Sequence, residues 1–438
     1  MFELLFLIVF VLFPFLTIFS YKFFLKENIL RVSIVNFLVI NIFIFAYVGV
    51  IFLFFHLDPL RVSNGVVDRE IIFLVWLFSV ISITSIIVGA FFSKKTFNMS
   101  SLIFNPKLID KITNLQRIKS YIFIFLGGIA LFLYIKAVPE IALFNIFSFD
   151  GKSGIQNLRS DMGNNFEGSY LLYNIFMRDI LQLLLFVFYS QWLVFNNKKD
   201  LSIVIFLFLI SSFVALMATE KAPIIWLIVG MFLVNVIIKR SFIPVKEIIK
   251  ITVPIFIILI IMYMFFMKST SVSQAFNSVL SRAFTGSITP AYFYLDLFPE
   301  YHEYLYGKSF PNPKGILPYE PVKLPVLVMN WVNPHLESLG IVGSMPTVFW
   351  AEIYANFGPL MIAPISFIIG FLLNTLDLII FKLRKNSLYV GYYVWVILYF
   401  RELSITSFSN FMLNIVLIIV TFIFIFISMK NYKINYSK

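Results

Sequence analysis

Apolar runs long enough to cross a bilayer recur from one end of this chain to the other, and they constrain its fold more than any motif does. "FELLFLIVFVLFPFLTIF" lies at the start and "VTFIFIFISM" ends the last such run. A hydrocarbon core about 30 Å thick takes a helix of about twenty residues, and within it every backbone N–H and C=O must be bonded inside the protein. At 60% hydrophobic and 13% charged, a 438-residue chain cannot hide its apolar side chains in one aqueous core. The expected fold is all-α: a polytopic integral membrane protein. The first run has no basic segment before it and no small-residue cleavage site after it, so it reads as a retained helix rather than a signal peptide.

Hydropathy places eleven transmembrane helices near 2–20, 32–55, 71–92, 121–138, 171–195, 201–217, 222–238, 251–267, 347–380, 388–401 and 407–429. The long ninth segment is also compatible with an interfacial helix followed by a span. Residues 1–267 thus hold the first eight spans, 268–346 a large late loop, and 347–438 the last three spans and a short tail. Lys and Arg concentrate in the odd-numbered connections and the tail, in blocks such as "KKTFNMSSLIFNPKLIDKITNLQRIK" and "KLRKN". The positive-inside rule puts these in the cytoplasm, leaving the N-terminus outside and the C-terminus inside. It also accounts for most of the net charge of +12 without nucleic acid. Residues 139–170 and 268–346 then lie outside, and Pro, Gly, Tyr and Trp in the second suit short interfacial helices forming a lid.

Several chemistries are excluded. The absence of cysteine removes disulfides and thiol nucleophiles, and His56, His302 and His335 have no metal-binding spacing, so no metal or cofactor is expected. "DGKSG" at 150–154 lacks the first glycine and the strand–turn–helix setting of a phosphate loop. No Asp-x-Asp pair for a nucleotide-sugar metal site occurs, "VGSMP" is no nucleophile elbow, and paired broken helices of an inverted-repeat transporter are not visible.

Ionisable residues in or beside spans are costly and therefore candidates for function. Arg178 and Asp179 lie two turns into the fifth span, either as a packing ion pair or with Arg178 holding a phosphate. "TEK", Thr219 to Lys221, joins spans six and seven: a membrane-boundary turn, or an anion site at a helix start. Arg159 and Arg282 sit in the outer loops. With Arg178, Lys221, Lys308 and Arg401 they set cations on the side that the charge rule depletes, as an anionic ligand would require. Arg401 and Glu402 occupy "LYFRELSITSF", a connection too short to wander. His302, Glu303, His335, Glu337 and Glu352 are candidates for one general base, and spacing does not choose among them.

About eleven spans rich in Phe, one long late outer loop, "GSMPTVFWAEIYANFG" entering a span, the "TEK" turn and "RELSITSF" before the last span resemble the Wzy family of O-antigen and related repeat-unit polymerases. Enterobacterial common antigen polymerases are similar in layout. The resemblance implies a GT-C-like glycosyltransferase in the bacterial inner membrane, active on its periplasmic face, that polymerises oligosaccharides linked to undecaprenyl diphosphate. It implies diphosphate or substrate contacts at Arg159, Arg178, Lys221, Arg282, Lys308, Arg401, Glu402 and Tyr354. Lys221 stands where a related common-antigen enzyme carries Arg, a point charge in place of a bidentate fork. Tyr292, Tyr294, Tyr301, Tyr304, Tyr306 and Trp331 would stack on sugars or anchor the interface. The partners implied are lipid-linked glycans, membrane lipids and a chain-length regulator. A flippase for the same lipids, or an O-antigen ligase, is the alternative; a flippase would place its charges in a central cavity across many spans, whereas here they favour the outer loops.

Overall fold

The computed structural model describes residues 2–97, 109–145, 158–159, 161–163, 166, 170–240, 242–266, 271–335, 343–383, 386–409 and 414–429. All regular structure among these residues is helical. The chain begins with α1 (Phe2–Ser20), α2 (Ile34–Phe54), α3 (Arg69–Thr96), α4 (Asn114–Ala137), α5 (Tyr170–Phe195), α6 (Lys198–Leu216), α7 (Ala222–Lys239) and α8 (Val245–Phe266). Side-chain caps set several starts: Ser33 accepts from the Asn36 N–H, Asp68 from the Glu70 N–H, and Thr113 with Gln116 forms a reciprocal capping box. There follow α9 (272–297), α10 (Leu324–Val332), α11 (Phe349–Phe357), α12 (Ile362–Lys382), α13 (Ser387–Phe400) and α14 (Ile415–Ser428). Among the described residues, α1 to α8 and the segment Pro359–Ile380 are nine helices long and apolar enough to cross a membrane.

The chain divides into two compact units. The first comprises 1–102, 276–380 and 399–414; the second comprises 103–275, 381–398 and 415–438. In the first, α2 and α9 approach so closely that a Cβ on Gly49 would sit 1.9 Å from the Phe284 carbonyl oxygen. Gly89 on α3 and Gly370 on α12 form a similar crossing, where a Cβ on either would meet opposing backbone oxygen at 2.1 Å. Without a hydrophobic force between helices in lipid, close backbone approach at small residues is what holds them. The second unit packs α5 against α6 and α7, ties α4 to α14 through a Gln116 to Ser428 hydrogen bond of 2.9 Å, and pairs Arg117 with buried Asp200 at 2.6 Å.

Three expectations change. Within the expected loop 268–346, residues 272–297 form a continuous helix, α9, made of Val272–Leu280, a π-turn Ser281–Thr285 and Gly286–Leu297, with Ile288 to Leu295 mostly buried. Its Ser, Thr and Arg depress the hydropathy, but the hydroxyls find partners: Thr289 donates to the Thr285 carbonyl at 2.7 Å, and Ser281 and Thr285 both reach Asp58. The segment 347–380 is not one span but follows the alternative reading, a short helix and then a span: it breaks at Gly358, which takes φ 76°, so α11 is separate from the spanning helix. Where the span 407–429 was expected, α14 has only 14 residues, as does α13, whose bounds match the expected 388–401; each is about 21 Å of helix against about 30 Å of hydrocarbon.

Candidate functional site

The polar residues of the first unit converge on α11. Glu352 and Asn356, one turn apart, share a face of this short buried helix. Glu352 is 1% exposed; its Oε1 accepts from the Ser309 hydroxyl at 2.6 Å and its Oε2 from the Ser409 N–H at 2.6 Å. The Asn356 amide donates to Ser309 Oγ at 2.8 Å, its Oδ1 accepts from the Gly307 N–H at 2.9 Å, and its carbonyl accepts from the Tyr306 N–H at 2.9 Å. One helix thus clamps two segments of chain, 305–309 and the end of the connection that begins at Arg401. Burial raises the Glu352 pKa above the usual carboxylate range, against the opposing hydrogen bonds from Ser309 and Ser409.

The clamp shapes what segment 305–309 displays. Tyr306 and Gly307 both adopt left-handed backbone, φ 50° and 90°. For tyrosine that conformation is disfavoured and persists only where surroundings enforce it; here the two acceptors of Asn356 do so. The result is a Tyr306 ring 73% exposed, with exposed Lys308 two residues on. Tyr354, also on α11, donates to the Phe298 carbonyl at 3.0 Å and meets the Tyr304 ring edge-on.

Arg401 follows directly on α13, in the 3₁₀ turn Arg401–Ser404 that packs on the first turns of α2. It is buried and ion-paired to half-exposed Glu402. Of the base candidates, Glu352 is committed through both oxygens to structure. His302 differs: its Nδ1 lies 2.7 Å from the Glu303 carbonyl oxygen. A carbonyl can only accept, so Nδ1 carries a proton, and in the neutral tautomer that this selects, Nε2 is the lone-pair acceptor. Glu303 and His335 lie exposed at the surface, and Glu337 falls outside the described residues.

A second cationic group joins Arg282, which the sequence singled out, to Asp58 and Arg61, which it did not. Asp58 Oδ2 accepts from Ser281 at 2.7 Å and Thr285 at 2.6 Å and lies 3.9 Å from Arg61 Nε. Burial alone would raise the Asp58 pKa; the bonds from Thr285 and Ser281 and the charge of Arg61 outweigh it and hold it low. Arg282 projects from the same π-turn and bears electrostatically on Arg61. The signal in the sequence was "DPLR", a carboxylate and a guanidinium one turn apart with Pro at the helix start. Ser309 and Asn356 were equally overlooked, although Asn356 follows Glu352 by four residues.

The remaining candidates belong to the second unit. Arg178 is exposed on a π-turn, Ile175–Ile180, while neighbouring Asp179 accepts from the Trp395 indole at 3.2 Å. Lys221 precedes α7 and lies 4.4 Å over the Tyr263 ring, a cation–π contact, and Thr219 takes φ 55° in the turn before it. Arg159 is half-buried one turn before Gly163, whose Cβ position its carbonyl faces. Among the described residues, no three His, Asp or Glu gather in a metal-ligating group.

Fold and composition define a multi-pass, all-helical membrane protein. Comparison with protein-family models, with curated proteins and with solved structures returns no match for this chain.

Proposed function

We propose that this protein is a glycosyltransferase that polymerises oligosaccharide repeat units carried on undecaprenyl diphosphate, at the periplasmic face of a bacterial inner membrane. The observation that carries the proposal is the setting of Arg401: a buried guanidinium at the end of a helix too short to span, in a connection fixed at its far end by Glu352. In the reaction, an acceptor hydroxyl attacks the anomeric carbon of the donor glycan. The carbon–oxygen bond to the diphosphate breaks, and the hydroxyl proton passes to a base. The leaving undecaprenyl diphosphate gains negative charge, which a preorganised guanidinium in a low-dielectric setting stabilises. Glu402 orients that guanidinium. His302 Nε2 takes the proton, and Tyr306 with Lys308 offers an aromatic face and a cation to the glycan.

Purified protein incubated with the correct lipid-diphosphate-linked repeat unit should yield a ladder of multiples. Unchanged monomer would reject the proposal. Intact substrate crossing a liposome wall would identify a flippase, and product formed only with lipid A core would identify a ligase.

A further inference from the structure

A polymerase of this kind handles two lipid diphosphates at once, and they need different things. The donor's diphosphate becomes a leaving group and is best served by a rigid, buried charge. The acceptor's diphosphate is unchanged by reaction and needs only to be held. The first unit contains a second pair of guanidiniums, Arg61 and Arg282, whose geometry suits holding.

Arg61 stands in the connection between α2 and α3, and Arg282 on the π-turn of α9. Arg61 is mostly buried, 17% exposed at its side chain, and Arg282 is exposed. The Arg61 Nη2 lies 3.1 Å from where a Cβ of Gly286 would be, so the lack of a side chain there makes room for the guanidinium over the α9 backbone. Its Nε is buried without a hydrogen-bond partner, since the Asp58 oxygen 3.9 Å away is beyond bonding distance. That Asp58 oxygen is already shared by Ser281 and Thr285. Arg282 Cδ lies 3.7 Å from the same Gly286 position and its charge bears on Arg61, so two guanidiniums stand close together while the carboxylate beside Arg61 is largely spent on hydroxyls. Two neighbouring guanidiniums, one exposed and one with an unused N–H, form a fork for a phosphate group.

Resting on the polymerase reading above, we propose that Arg61 and Arg282 form a lipid-phosphate site that docks the accepting lipid by its diphosphate. Asp58, fixed by the two hydroxyls, competes with the phosphate for Arg61 and so sets the strength of the site. Anions bound here do not change charge during reaction, so the site contributes equally to ground state and transition state and acts on KM rather than kcat.

Direct binding separates this inference from the polymerase reading. Full-length protein carrying Arg401→Gln, in neutral-lipid nanodiscs, would be titrated with undecaprenyl diphosphate, phosphatidylglycerol and inorganic pyrophosphate. Undecaprenyl diphosphate should bind tightest, and Arg282→Gln, an exposed change that leaves packing intact, should weaken it about tenfold, as loss of one charge-assisted contact does. Asp58→Asn should tighten it, because the competing charge is gone while an acceptor for Ser281 and Thr285 remains. Unchanged affinity in Arg282→Gln, or weaker binding in Asp58→Asn, would overturn the site. Equal affinity for phosphatidylglycerol would overturn the acceptor assignment by showing a general anionic-lipid contact. In wild-type background, with donor fixed and a lipid-linked acceptor varied, Arg282→Gln should raise the acceptor KM about tenfold at near-constant kcat; a fall in kcat at constant KM would also contradict it. A protein that binds as stated but makes no polymer would leave the site standing and reject the enzymatic reading.

Discussion

Removing Glu352 tests the clamp from which the candidate site is built. In Glu352→Ala the part-buried Ser409 N–H and the buried Ser309 O–H lose their acceptors, at about 1–3 kcal/mol each. The summed loss, about 4 kcal/mol, would lower the melting temperature on the order of 10 °C for a unit of this size. Glu352→Gln should be far milder, since the amide can accept from Ser409 and donate to Ser309. The two variants also differ in pH response. Burial raises the folded-state pKa of Glu352, so the folded protein binds its proton more tightly than the unfolded chain does. Its contribution to stability is fully present below the ordinary carboxylate pKa and is lost as pH rises through the raised folded value. Wild type should therefore lose stability across that window relative to Glu352→Gln, which has no proton to release. Melting curves in detergent over a pH series measure both effects. A Glu352→Ala protein as stable as wild type, or a wild type that gains stability over Glu352→Gln as pH rises, would refute the reasoning.

Three further outcomes follow from the geometry. Arg401→Lys keeps the charge but loses the fork; chain extension should slow about tenfold to a hundredfold in kcat, and normal ladders from both Arg401→Lys and Arg401→Ala would exclude the diphosphate role. His302→Gln should lower kcat by 10² or more with unchanged folding by circular dichroism, in line with loss of a general base; full activity would return the base to the other candidates. Gly49→Ala should destabilise the first unit by roughly 1–3 kcal/mol in thermal unfolding, because its Cβ would fall 1.9 Å from the Phe284 carbonyl oxygen; an unchanged melting point would contradict the close packing of α2 on α9.

The membrane-spanning helices were legible because apolar length is a one-dimensional property, and α1 to α8 fall close to the expected ranges. α9 was not, because Ser281, Arg282, Thr285 and Gly286 read as loop until tertiary contact supplies partners for them. The shortness of α14 was hidden for the opposite reason: Phe411, Met412 and Leu413 extend the apolar run ahead of its start, and hydropathy does not register where a helix begins. At the candidate site, Glu352, Tyr354, Lys308 and Arg401 were all singled out, while the clamp that Glu352 forms through both its oxygens was not. That role depends on Ser309 and Ser409, residues distant in sequence whose backbone and hydroxyl donors carry no pattern of their own. The Asp58–Arg61 pair was visible as a local spacing, but its meaning came only with Arg282 on a helix that sequence reading had dissolved into a loop.

The central claim, that repeat units are joined with loss of the lipid carrier, is tested most directly by counting undecaprenyl diphosphate released against linkages formed by the purified wild-type protein. The account expects one carrier released for each new linkage, in step with a lengthening ladder. Lengthening without release, or substrate moved intact with no release at all, would contradict it.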